Sequence, residues 1–130
     1  MTDDSVVWQY AKSGKVDKII VDWVSDSAAG TVSAESDKPI HGTIARITTD
    51  PGSPAPSADY DITLLDEDSV DVALGTLANR HTTTTQTVYP TVAGSAGTTE
   101  VQGGVVNGRL TLTIANAGNS KKGKVTIYLV

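Results

Sequence analysis

Two segments near the end of this chain alternate apolar and polar side chains with a period of two, and nothing else in the sequence constrains the fold as much. Leu110, Leu112 and Ile114 fall on one side of residues 108–115, and Val125, Ile127 and Leu129 on one side of residues 124–130. That period belongs to a strand, whose successive side chains leave opposite faces. Residues 116–123 between them are rich in turn formers. The pair therefore reads as a hairpin whose apolar faces meet, with the chain ending inside a sheet.

The remainder of the chain follows the same pattern. Residues 5–12 read as a strand with Val6, Trp8 and Tyr10 on one face. Residues 15–25 read as a second, with Ile19, Val21 and Trp23 alternating against Lys18, Ile20, Asp22 and Val24. Apolar groups on both faces suggest a strand covered on both sides or lying at an interface. Residues 30–34 suit a short strand. In residues 40–49, Ile40, Gly42, Ile44 and Arg46 oppose His41, Thr43, Ala45 and Ile47. The three prolines of residues 50–57 cannot donate to a ladder and stiffen a loop. Residues 59–65 and 70–74 flank the acidic turn 66–69 and read as a second hairpin. Residues 75–85 suit a loop or a helical turn, and 82–90 are β-prone, with Tyr89 near their end. Residues 91–104, rich in Gly, Ala, Ser and Thr, read as a mobile or partner-ordered loop. Asn107-Gly108 suits a type I′ turn. The expectation is an all-β fold: one antiparallel β-sandwich or barrel, jelly-roll-like, of about eight strands. Residues 1–12 serve it as a short docking arm or an edge strand.

The length of 130 residues fits one domain. The absence of cysteine removes disulfides and thiolate chemistry. A net charge of −5 opposes binding to nucleic acid or to an anionic membrane surface. The apolar runs are too short to span a bilayer. The acidic start, with no apolar stretch behind it, predicts no signal peptide.

Catalytic and ligand motifs are scarce. Residues 66–71 carry closely spaced carboxylates but lack the order and the distant Glu of a calcium loop, so they read as a solvated turn. His41 and His81 lack zinc-ligand spacing. The order Gly94-Ser95-Ala96-Gly97 is not a nucleophile elbow, and the Gly-rich stretches lack the Lys of a phosphate loop. The chain reads as no enzyme, with no cofactor and no metal. Contact residues are sought instead among aromatic and basic groups: Trp8, Tyr10 and Trp23, rich in contact area, together with Tyr89, and the pair Lys121 and Lys122 at the tip of the C-terminal hairpin.

Residues 60–68, with Val70-Asp71-Val72 and Ala78-Asn79-Arg80, and the close 108–118 followed by Lys122-Gly123, resemble small virion structural proteins encoded among the head and tail genes of tailed bacteriophages and prophages. Ser69 stands where a Gly would suit the turn better. The resemblance implies a capsid decoration or cement protein of the virion, assembled in the host cytoplasm. It would contact the major capsid protein or other virion proteins and form a homo-oligomer, with a trimer favoured. The alternative is a carbohydrate-binding or adhesion module, or a tail or fibre component.

Overall fold

The computed structural model describes residues 3–93 and 101–130. All regular structure among them is β, with no helix. The strands are β1 (Ser5–Ser13), β2 (Val16–Val24), β3 (Val32–Glu35), β4 (Ile40–Pro51), β5 (Asp61–Leu65), β6 (Gln86–Val88), β7 (Thr91–Ala93), β8 (Val101–Gly103), β9 (Val105–Gly108), β10 (Thr111–Ala115) and β11 (Lys122–Leu129). A six-stranded sheet runs β1-β2-β11-β4-β6, with β9 also on β4; a three-stranded sheet runs β3-β10-β5; β7 and β8 pair by themselves. Every pairing is antiparallel. The two main sheets form a sandwich and not a closed barrel.

The alternation explains the packing. Ile19, Val21 and Trp23 of β2 and Val125, Ile127 and Leu129 of β11 turn inward and are buried. Val32, Ile62, Leu64, Leu112 and Ile114 of the small sheet face them in one core. Trp23 and Tyr60 meet with ring centroids 5.8 Å apart, tilted at 50°. At roughly 25 cal/mol per Å² of buried apolar surface, this aliphatic core is the main stabilising term.

Four expectations change. β10 and β11 do not form a hairpin. They lie in different sheets and meet across the core, because β10 takes β3 and β5 as partners and β11 takes β2 and β4. Asn107-Gly108 does not close a hairpin either: β9 pairs with the start of β4, and Gly108, at φ 125°, turns the chain from one sheet to the other. Residues 70–74 form no strand. The Asp71 carboxylate accepts from the amides of Leu64, Ala73 and Gly75, which holds this segment in turns. Finally, Arg46 does not share a face with Ile44. A bulge at Ala45, where Tyr128 opposes Arg46 but Leu129 opposes Ile44, reverses the alternation, so Ile47 turns inward and Arg46 outward.

The acidic turn is a structured loop. Asp66 accepts from the amides of Asp68 and Val70, and Ser69 adopts a left-handed φ of 62°. Of the segment 91–104, β7 and β8 pair with each other, while residues 94–100 lie outside the described residues. Residues 5–13 are a strand of the main sheet throughout.

Candidate interaction surface

β1 is an edge strand. Its whole length pairs with β2, from Ser5 opposite Val24 to Ser13 opposite Val16, while its other edge has no strand partner among the described residues. Val6, Trp8 and Tyr10 turn inward and pack on the core, whereas Val7 stays 55 % exposed on the outer face. The strand holds one charged residue, Lys12, and no proline. Natural sheet edges are usually blunted by charge, proline or brevity. This one is nine residues long and largely unblunted.

The edge runs beside an open groove of about 430 Å³ between the two sheets, lined among others by Asp4, Trp8, Glu35 and Asp37. Carboxylates anchor both ends of the strand to its surroundings. Asp4 accepts from the Ser33 amide, and Asp3 accepts from the amide and hydroxyl of Ser27 while its own amide donates to Asp26. That amide, with those of Ala28 and Ala29, holds the Asp26 carboxyl well below the usual carboxylate range. At the far end the Tyr10 hydroxyl donates to Asp37 and Lys38 lies 5.0 Å from the Tyr10 ring centroid. Burial, and then the bond to Asp37, push the Tyr10 hydroxyl up to about 12.

The outer face of the six-stranded sheet is the second feature. Cross-strand register sets its side chains in rows. One row runs Val7, Asp22, Lys124, Asp50; the next runs Gln9, Ile20, Thr126, Thr48, Thr87; a third runs Lys18, Tyr128, Arg46. Tyr128 lies between two cations, with Lys18 Nζ 5.7 Å and the Arg46 guanidinium 4.1 Å from its ring centroid. The Tyr128 and Tyr89 hydroxyls hold Arg46 more firmly charged than usual.

The contact residues expected from sequence are scattered. Trp8 and Tyr10 are half-buried at the β1 edge, and Trp8 Nε1 is buried with no hydrogen-bond partner among the described residues. Trp23 is 1 % exposed and belongs to the core, so it offers no surface; its expected contact role is corrected by its inward position on β2. Tyr89, 64 % exposed, stands beside Arg46. Lys121 and Lys122 do not sit on a free hairpin tip. Ser25 exchanges backbone and hydroxyl bonds with Lys121, and the Lys122 amide donates to the Pro54 carbonyl. Lys18, Arg46 and Tyr128 escaped the sequence reading, because only register brings positions so distant together.

The histidines serve local structure. His41 bonds Asn107 at 2.7 Å, and His81 Nδ1 accepts from the amides of Thr83 and Thr84. Among the described residues no group of three or more His, Asp or Glu gathers to hold a metal. No helix of the structure is long and apolar enough to cross a membrane. The chain matches no protein-family model, no curated protein and no solved structure.

Proposed function

We propose that this chain is a non-enzymatic structural protein of a bacteriophage particle, a decoration or cement protein that binds and stabilises the head shell. The observation that carries the reading is the unpaired edge of β1. A long strand edge, poor in charge and fixed at both ends, is an adhesive surface: an extended segment of a neighbouring protein adds to it as a further strand, gaining main-chain hydrogen bonds. The groove beside it supplies the side-chain pockets, with Trp8 at its wall. The edge is backed by the core, because the β1 side chains that turn inward, Val6, Trp8 and Tyr10, pack against it half-buried. The resemblance of residues 60–68, 70–72, 78–80, 108–118 and 122–123 to virion structural proteins supports the particle as the setting. Assembly with further copies of the chain, as a trimer, belongs to the same reading.

The test uses Val7 and Gln9, both exposed and clear of the core. Val7→Lys with Gln9→Lys blunts the edge with charge while leaving Val6, Trp8 and Tyr10 in place. Binding of the purified variant to undecorated shells, read by co-sedimentation, should fall at least tenfold with an unchanged β circular dichroism spectrum. Undiminished binding would overturn the assignment of this edge. Deleting residues 2–12 is not a clean test, since it would strip the core of three packed side chains.

A further inference from the structure

A second surface, distinct from the β1 edge, sets cations and tyrosines side by side on the outer face of the main sheet. Lys18 on β2, Tyr128 on β11 and Arg46 on β4 are successive cross-strand neighbours on the outer face of the main sheet. With strands about 4.8 Å apart, the two cations stand on strands about 10 Å apart, one on each side of the Tyr128 ring. The Ala45 bulge is what turns Arg46 to this face; a regular strand would point it into the core beside Ile44. Tyr89 follows β6 at the far side of Arg46, exposed.

Among the described residues neither cation has a carboxylate within ion-pair distance. The ion pair found among the described residues is Lys12 with Asp17, at 4.0 Å, on the opposite face of β2. On the outer face the carboxylates on these two strands are Asp22 and Asp50, each four residues further along, about 13 Å away and beyond the screening length at physiological salt. The row between is uncharged: Ile20, Thr126 and Thr48. In a chain of net charge −5, two cations without an ion-pair partner among the described residues thus stand beside two tyrosines at one end of this face. Stacking on Tyr128 reduces the freedom of the guanidinium, so it presents its donors preorganised.

We propose that the row Lys18, Tyr128, Arg46 and Tyr89 is a carboxylate-recognition site for an acidic protein surface. Arg46 engages one carboxylate with two parallel N–H donors, Lys18 attracts a second as a point charge, and the tyrosine hydroxyls donate to the remaining oxygens. An uncharged β-branched row beside the cations favours a protein surface as the occupant, since a free anion would gain nothing from contact with it. The site stands independently of the particle assignment, and of the β1 edge.

The probe is a fluorescein-labelled peptide of six glutamates, titrated by anisotropy into the full chain at about 0.15 M salt. A hexameric phosphoserine peptide and inorganic phosphate serve as separate arms. Lys18→Gln with Arg46→Gln should weaken the glutamate peptide at least tenfold. Lys121→Gln with Lys122→Gln, the same change of net charge elsewhere, should weaken it less than twofold. Amide shifts on adding the peptide should centre on residues 18, 46, 89 and 128. Equal losses in the two double variants would reduce the effect to net charge and overturn the site. Tighter capture of inorganic phosphate than of the glutamate peptide would overturn carboxylate recognition.

Discussion

The Trp23 indole fills the space left by the missing side chain of Gly123, its cross-strand partner on β11. A Cβ added to Gly123 would stand 2.6 Å from Cε2 and 2.9 Å from Nε1 of Trp23, closer than real contacts allow. The largest side chain of the core therefore depends on the smallest residue beside it.

Gly123→Ala should overpack this site and cost about 1–3 kcal/mol. Urea unfolding followed by tryptophan fluorescence would show a lowered midpoint with an unchanged slope. An unchanged midpoint would mean that the ring moves aside freely.

The sequence makes several strands visible because alternation is a local property. β2, β10 and β11 follow from it directly, and so does their apolar side. Partners are not local, so the sheet assignments were less legible. A period of two shows that Leu112 and Val125 face the same core; it does not show whether they face it from one sheet or from two. Asn107-Gly108 has the composition of a hairpin turn, yet the chain there crosses between sheets. The Arg46 row could not be read from sequence, because it depends on one extra residue at Ala45 and on pairing across about eighty positions. The one hint available was an aromatic residue, Tyr128, on the polar side of an alternating strand.

Asp26 carries an acid-dependent share of stability. Its carboxylate is held below its ordinary value chiefly by the amide of Asp3, then by that of Ala29. The folded state thus binds this proton less readily than the unfolded chain does, so the stabilisation is complete above about pH 4 and is lost as pH falls through the lower folded value. Thermal unfolding measured from pH 6 to pH 2 should show a steeper decline for the wild type than for Asp26→Asn. Equal slopes would contradict the anchoring role of this residue.

The alkaline limit has a different origin. Tyr10 and Tyr60 are pushed up to about 12, both chiefly by burial. Between about pH 10 and 12 the unfolded chain ionises these phenols while the folded chain keeps them neutral, so stability falls across that window. Absorbance titration should show Tyr10 and Tyr60 ionising about two pH units late. Tyr10→Phe should remove one of them; a wild-type titration with all four tyrosines near 10 would contradict the burial described.

Ser69 occupies a left-handed conformation, φ 62°, in the turn after β5. Glycine adopts it without the Cβ penalty, although its unfolded state is more flexible. Ser69→Gly should leave the fold intact and raise stability by up to about 1 kcal/mol. Calorimetry would register this as a higher Tm, and a lower one would mean that the serine hydroxyl contributes more than the backbone loses.

The account as a whole rests on the chain acting by adhesion within a particle. Quantitative mass spectrometry of particles purified from cells that produce this chain tests that most directly. The expected result is retention through gradient purification at a copy number fixed relative to the major shell protein, and its loss from particles carrying Val7→Lys with Gln9→Lys. Recovery of the chain solely in the soluble fraction, with particles complete without it, would contradict the account.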